Sequence, residues 1–207
     1  MSLYQILSDG IQREIQANTI TGVVIGVVSN NKDPEGQARV KVTFPWLSDT
    51  EESQWARMVC FMAGGKRGAY FLPEVDDEVL VAFEHGDINR PYVLGALWNG
   101  VDKPPTSNDD GKNNLRLLQS RSGHIIKLDD TSGSEKIEIV DKSGKNSVIW
   151  DTTANKITIS ADKDVEVKAG QGKISLQATE VEIKSSGNAK IEASGNMTIK
   201  GATVSIN

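Results

Sequence analysis

Apolar and polar residues alternate through the first half of the chain, from residue 21 to residue 99. In residues 38–44, for example, three apolar side chains beginning with Val40 alternate with Arg, Lys and Thr, as is typical of a β-strand with one solvated face. β-branched and aromatic residues are frequent in such segments, and turn-forming residues separate them. The pattern predicts five strands, over residues 22–29, 38–44, 54–62, 78–84 and 91–98.

Five strands in so short a segment predict a closed barrel, because closure pairs the strand edges that an open sheet leaves exposed. A five-stranded Greek-key barrel of this size is the oligonucleotide/oligosaccharide-binding (OB) type. Cys60 lies in an apolar run and is predicted to be a buried thiol. Four aromatic residues beside apolar runs are predicted to fill the core: Phe44, Phe61, Phe83 and Trp98.

The N-terminal residues follow a helical period. Apolar side chains recur there at intervals of three and four, and Ser2 is available as an N-cap, which predicts a short amphipathic helix over residues 3–16. This helix either packs on its own domain or docks on a neighbouring subunit. Its apolar stripe includes Leu3, Ile6, Leu7 and Ile11.

The composition changes after the barrel. Residues 101–114 contain two consecutive prolines followed by Ser, Asn, Asp and Gly, which is typical of a linker. Beyond residue 136, pairs of aliphatic residues one position apart recur, and each pair predicts one short strand followed by a turn. From residue 157 onward the predicted inward-facing residues are Ile157, Ile159, Val165, Val167, Ile174, Leu176, Val181, Ile183, Ile191, Met197 and Ile199.

One such repeat unit cannot fold alone. A strand of about five residues has only two or three side chains on its inner face, too few to form a core. The missing contacts come either from a single-chain solenoid with three units per coil or from three chains that each form one face of a triangular prism. No aromatic residue follows Trp150, and the narrow interior of either geometry admits aliphatic side chains.

The charge distribution limits the classes of function. The 207 residues have a formal net charge of -5, and residues 1–105 contain 14 Asp and Glu against 9 Lys and Arg. A nucleic-acid-binding protein needs a basic stripe, so no binding of nucleic acid is expected. The sequence shows no apolar run of membrane-spanning length and no signal-peptide pattern, which predicts synthesis as a soluble cytoplasmic protein.

Candidate catalytic groups are few. Asp76, Asp77 and Glu78, with His85, are the groups suited to general acid/base catalysis, but a solvated turn beside the fourth strand is their expected setting. His85 and His124 lie far apart without metal-ligand spacing, and the glycines of residues 64–68 lack the spacing of a phosphate loop. The sequence therefore predicts no enzyme, no cofactor, no metal site and no small-molecule substrate.

Six segments of the chain together resemble one known family. They are residues 22–47, 55–57, 71–87 and 90–100 in the predicted barrel, and residues 120–130 and 135–144 after the linker. The first four resemble the OB domain of phage baseplate spike proteins (the baseplate assembly protein V family) and of the valine-glycine repeat spikes of type VI secretion systems. The residues after the linker resemble the β-helix of these spikes.

The resemblance implies an all-β fold: a five-stranded OB-type barrel followed by a trimeric intertwined β-helix, with a short N-terminal helix. It implies a homotrimeric needle that pierces the target cell envelope, meets the target membrane transiently, and forms part of a virion tail or secreted injection particle made in the bacterial cytoplasm. The expected domains are a hub-docking segment (1–20), an OB domain (21–100), a linker (101–114), and a neck with a triple-stranded needle (115–207).

The chain departs from the family's pattern at three points. About 20 residues precede the first predicted strand, where large type VI spikes carry a hub-like region, so a separate baseplate hub protein is expected to bind Leu3, Ile6, Leu7 and Ile11. The lysozyme domain of some phage spikes is missing after the linker. The iron-binding His-x-His tip motif is also missing, so a PAAR-type tip protein is expected to bind Val204, Ser205, Ile206 and Asn207.

Two other functions share parts of this pattern. An OB-fold module that binds nucleic acid would need stacking aromatics and basic residues on its sheet face, where the acidic first half offers neither. A trimeric, carbohydrate-binding tail fibre would more often end in a globular tip with aromatic residues, and the residues after Trp150 contain none.

Overall fold

The computed structural model describes residues 19–206, except for the side chain of Asp49. The chain divides into two compact units between Asn113 and Asn114. The helix predicted over residues 3–16, and with it the hub-docking stripe, lies outside the described residues, as does Asn207.

The first unit contains eight strands and one short 3-10 turn over Glu84–Gly86. The strands are β1 (Val23–Asn30), β2 (Lys41–Phe44), β3 (Ser48–Glu52), β4 (Arg57–Met58), β5 (Ala63–Gly64), β6 (Arg67–Gly68), β7 (Glu78–Phe83) and β8 (Pro91–Ala96). The second unit contains five: β9 (Leu115–Gln119), β10 (Ile125–Asp129), β11 (Lys136–Val140), β12 (Ser147–Asp151) and β13 (Lys156–Ser160). The predicted all-β class is confirmed.

Six strands of the first unit form one sheet in the order β3-β2-β1-β7-β8-β4. Neighbours are antiparallel except β4 and β8, which run parallel. Val40 and Ala56 then pair across the gap, with N···O distances of 3.0 and 2.7 Å, so that the β4 end of the sheet meets the β2 end. The sheet thereby closes on itself, and we call it the barrel.

The alternation of apolar residues produces the barrel core. Six valines are completely buried: Val28, Val40, Val42, Val79, Val81 and Val93. Phe44 and Phe83 also belong to the core, as the sequence predicted. Their ring centroids lie 5.5 Å apart. Gly26 is needed where β1 crosses this core, because a Cβ atom there would lie 2.3 Å from a methyl carbon of Val42.

The third predicted strand, over residues 54–62, is wrong in most of its length. Only Arg57–Met58 is a strand, and the missed strand β3 has the polar sequence Ser-Asp-Thr-Glu-Glu, which carries no apolar alternation. Cys60 is exposed rather than buried, and Phe61 and Trp98 are 87% and 70% exposed rather than in the core. These side chains lie past the ends of β4 and β8, where no other part of the barrel covers them.

The loop between β1 and β2 is organised by Asp33. Its carboxylate accepts hydrogen bonds from the backbone N–H of Gln37 and, at 2.8 and 3.0 Å, from the Arg39 guanidinium. The Arg39 hydrogen bonds hold the pKa of Asp33 well below its usual range, with further contributions from backbone N–H groups. The strand predicted from residue 38 begins only at Lys41, because Ala38 adopts a left-handed conformation (φ 57°).

The five strands of the second unit form a separate antiparallel sheet in chain order, β9 to β13. We call this sheet the meander. Each strand has five residues and pairs along its full length with the next one. Within residues 19–206 no helix is long and apolar enough to cross a membrane.

Candidate assembly interface

The strand register gives the meander two chemically different faces. One cross-strand row consists of Leu118, Ile126, Ile139, Val148 and Ile159, and the next consists of Arg116, Leu128, Ile137, Trp150 and Ile157. Side chains two positions apart on a strand share a face, so both rows lie on the same side of the sheet. Nine of the ten side chains are aliphatic or aromatic. We call this side the apolar face.

The apolar face is open to solvent in the single chain. Its aliphatic side chains on β9, β10, β11 and β13 are 40–64% exposed. A contiguous apolar patch of this kind on a protein surface marks an interaction site, because its burial removes apolar area from water. The apolar face of the meander is therefore suited to packing against another protein surface.

The opposite side of the meander is mixed: it carries six charged residues together with five apolar ones, Leu115, Leu117, Ile125, Val140 and Ile149. Lys127 on β10 forms an ion pair with Glu138 on β11, its register partner. A second row alternates in sign across four strands: Asp129, Lys136, Asp151 and Lys156. Hydrogen bonds from Thr131, and to a smaller extent the nearby lysine charges, lower the pKa of Asp129 below its usual value. The paired charges of this side are suited to water, and the meander's two sides therefore differ in charge rather than in the presence of apolar residues.

Two of the predicted inward-facing residues, Ile157 and Ile159, lie on the apolar face. The other nine lie in residues 161–206, which we call the shaft, and are 48–79% exposed. No strand is assigned within the described part of the shaft. The structure thus gives these nine side chains no common surface in one chain, and their place in a trimer core stays a prediction.

Three ion pairs in the shaft join charged residues that flank a predicted inward-facing residue. Glu166 and Lys168 form an ion pair of 2.7 Å around Val167, and Glu182 and Lys184 form one of 2.6 Å around Ile183. Lys190 and Glu192 do the same at 2.5 Å around Ile191. Because residues two apart in an extended chain point the same way, each charged pair lies opposite the aliphatic residue between its members.

Part of the apolar face was not predicted from the sequence. Leu118, Ile126 and Leu128 belong to it, and so does Trp150. The alternation of these residues with Lys127 and Gln119 in the sequence indicated strands. The register between neighbouring strands, however, depends on the turns that connect them. The pairs at Ile137/Ile139 and Ile157/Ile159 were recognised as repeat units.

The candidate acid/base residues of the barrel do not come together. Glu78 begins β7 and His85 follows its end, so a strand of six residues, roughly 20 Å long, separates them. The Asp77 carboxylate accepts a hydrogen bond of 2.8 Å from the backbone N–H of Glu74 and orders the turn. Within residues 19–206, no three His, Cys, Asp or Glu side chains are grouped so that they could hold a metal ion.

The described residues thus form a closed β-barrel and a second sheet with one exposed apolar face. Residues 24–98 match the model of the type VI secretion system/phage-baseplate injector OB domain. These residues contain all strands of the barrel except the first residue of β1. The barrel is therefore an injector OB domain, and the resemblance of the chain to the baseplate spike family is confirmed.

Three relatives each match between 48% and 62% of this chain. The type VI secretion system spike protein VgrG3 of Vibrio cholerae serotype O1 is 32% identical over 107 residues, 48% of this chain and 10% of the relative. The spike protein VgrG1a of Pseudomonas aeruginosa is 26% identical over 143 residues, 62% of this chain and 22% of the relative. The actin cross-linking toxin VgrG1 of a second V. cholerae O1 strain is 28% identical over 119 residues, 50% of this chain and 11% of the relative.

The chain thus spans only between 10% and 22% of the length of these relatives. Two of the three are named as spike proteins.

Proposed function

We propose that this chain is the central spike of a contractile tail or type VI-like injection machine, and that three copies form its needle. The observation that carries the proposal is the exposed apolar face of the meander, continued by the exposed aliphatic residues of the shaft. The injector OB domain match supplies the family context. The role is structural: the barrels form a collar and residues 115–206 form the rod.

The exposed apolar face supports three-fold assembly. A single five-stranded sheet cannot cover one of its own faces, since its strands of five residues run side by side without folding back. Three such sheets around one axis form a prism in which each apolar face packs on the other two. The charged rows headed by Asp129 and Lys127 then face water on the outside.

In the proposal the shaft continues the three-fold arrangement, although no strand is assigned to its described residues within one chain. Its aliphatic residues, such as Val167 and Ile183, point away from the ion pairs that flank them. In the proposed needle these residues fill a narrow axial core, and strands of different chains pair with one another. A rod with laterally paired backbone groups exposes few unsatisfied N–H and C=O groups to lipid, which suits transient passage through a target membrane.

Two protein partners belong to the proposal. A baseplate hub protein binds the N-terminal stripe of Leu3, Ile6, Leu7 and Ile11, whose amphipathic spacing is the support. A PAAR-type tip protein binds Val204, Ser205 and Ile206, with Asn207 beyond the described residues; Val204 and Ile206 are both exposed apolar side chains. The particle is assembled in the bacterial cytoplasm and acts at the envelope of the target cell.

The experiment compares two neighbouring positions on β13 in the complete chain. Ile159→Asp places a carboxylate in each of three chains at the centre of the prism, so we expect loss of the trimer by light scattering and loss of the spike from assembled particles. Thr158→Asp changes the opposite face and should leave both measurements unchanged. If the two variants behave alike, the apolar face is not the assembly surface and the proposal is wrong.

The hub contact has its own test. Deletion of residues 1–16 should leave the mass and thermal midpoint of the trimer unchanged and remove the spike from purified particles. Unfolding of the barrel after this deletion would show that the segment belongs to the barrel and not to a hub contact.

A further inference from the structure

The proposed trimer places a symmetry requirement on the barrels. Around a three-fold axis each contact is head-to-tail, so every copy must carry two different surfaces that fit each other. The meander supplies a contact around the axis but does not show how one barrel would meet the next. Two surfaces of the barrel, which neither the core nor the apolar face uses, have the required complementarity.

The first surface is a groove of about 570 Å³ formed by residues 57–72 with Gln37 and Ala38. Residues 53–73 contain three cations, Arg57, Lys66 and Arg67, and no acidic residue. None of these three cations has a carboxylate partner within residues 19–206. We call this surface the basic groove.

The basic groove is apolar as well as cationic. Met62 and Tyr70 line it and are exposed, and Phe71 beside them is 66% exposed. The β5–β6 hairpin that frames it is tightly built: the backbone N–H of Ala69 donates to the Met62 carbonyl oxygen, and a Cβ at Gly68 would lie 2.6 Å from that oxygen. The groove is therefore a defined concave surface with a mixed apolar and positive lining.

The second surface is the turn and edge strand after β2, residues 45–52. Of its three acidic residues, Glu52 forms an ion pair of 2.8 Å with Lys41 of the same chain, whereas Glu51 forms none within the described residues. Trp46 and Leu47 at its turn are 52% and 54% exposed. Trp46 rests against Phe44 of the core with ring centroids 5.9 Å apart, which holds the turn in place. We call this surface the acidic hairpin. None of its residues lines the basic groove of the same chain.

We infer that the acidic hairpin of one copy docks into the basic groove of the next, so that three barrels close into a ring. The occupant is a second copy of this chain because the two surfaces are opposite in charge, alike in apolar content and present once in each copy. Trp46 and Leu47 would enter between Tyr70 and Met62, and Glu51, which forms no ion pair within the described residues, would face the unpaired cations. The inference rests on the proposed trimer.

The single Cys60 makes this contact directly testable, since it is exposed and lines the basic groove. Leu47→Cys adds one thiol to the acidic hairpin, and a short bismaleimide should then link neighbouring copies into covalent dimers and trimers on a denaturing gel. The unchanged chain and Ser107→Cys, which places the second thiol in the linker, are the controls and should give only background amounts of linked species. Equal linkage in Leu47→Cys and Ser107→Cys would overturn the inference.

A charge reversal provides a second test of the contact between the acidic hairpin and the basic groove. Arg67→Glu in the Leu47→Cys background should reduce linkage to the background level, and Glu51→Arg added to it should restore linkage by reversing both charges. Light scattering separates the two claims. Trimers that do not link through the hairpin contradict the ring contact alone, whereas a chain that stays monomeric contradicts the proposed function.

Discussion

The same kind of residue has opposite surroundings in the two parts of the molecule. Val42 in the barrel is completely buried, whereas Val165 in the shaft is 60% exposed. Both lie in stretches where aliphatic and polar residues alternate. The alternation fixes which side chains share a face, and the closure of the chain on itself decides whether that face becomes an internal core or an interface.

Closure has identifiable causes in the barrel. The Val40–Ala56 pairing joins the two ends of the sheet, and Gly26 on β1 leaves room for the Val42 side chain of the neighbouring strand β2. The meander has no pairing that joins its two end strands, because its five strands follow one another in chain order from β9 to β13. The barrel is thus expected to be stable by itself, and the residues after the linker to depend on other copies.

The largest effect should come from a charge placed in the proposed needle core. Ile183→Asp would bring three carboxylates into one apolar layer, where unpaired charges cost several kcal/mol each, so the trimer should be lost. Light scattering measures the mass, and circular dichroism should show the barrel still folded.

The adjacent position sharpens this result. Lys184 is paired with Glu182 at 2.6 Å and is assigned to the outside of the proposed needle, so Lys184→Asp should retain the trimer. Loss of the trimer in both variants would contradict the assignment of inward and outward positions.

The next effect concerns the barrel and should leave assembly unchanged. Phe44→Ala removes a ring that is 3% exposed and packs on Phe83, so the free energy of unfolding of the barrel should fall by about 3–5 kcal/mol. Denaturant unfolding followed by tryptophan fluorescence measures it. An equal loss of needle stability would show that the two regions unfold as one.

The sequence predicted the strands whose apolar residues alternate. Of the barrel strands, β1, β7 and β8 were predicted nearly in full, and β2 with a start that was too early. β3 was missed because its five residues are polar and are held by pairing with β2, a contact that local composition does not contain. Residues 59–62 resemble a buried strand in composition, yet their burial would need a covering surface that this chain does not supply.

The assembly interface was predicted in the same partial way. The pairs Ile137/Ile139 and Ile157/Ile159 were identified as repeat units, and the register places all four on the apolar face. Leu118 and Ile126 were not included, because their alignment with those pairs depends on the lengths of the turns between strands. The basic groove was not predicted, because residues 57–62 were assigned to a strand with Cys60 buried, and residues 64–68 were considered only as a phosphate loop and rejected.

A smaller effect is expected from acid. Hydrogen bonds from Arg39 and backbone N–H groups keep the pKa of Asp33 below its ordinary value, so this group stabilises the barrel above the ordinary carboxylate pKa of about 3.9 and loses that contribution as the pH falls through its lower native value. Asp33→Asn should lower the thermal midpoint of the barrel at pH 7. The difference from the unchanged chain should shrink toward pH 2, and a difference that is constant with pH would contradict the role of the charge.

The smallest effect is expected at the exposed ion pairs of the shaft. Lys168→Ala breaks the contact with Glu166, in which both side chains are more than two-thirds exposed, so needle stability should change by less than about 1 kcal/mol. The thermal midpoint and the mass should both remain those of the unchanged chain. A large loss would mean that this face is buried in the assembly, contrary to the proposed outward orientation.

The mass of the unmodified chain in solution tests the central claim most directly. Light scattering on the purified protein should give three times the 22.4 kDa of one chain over a wide range of concentrations, because residues 19–206 of one copy leave the apolar face and the shaft exposed. A well-folded particle of 22.4 kDa, with protected strands throughout residues 115–206 by hydrogen exchange, would contradict it.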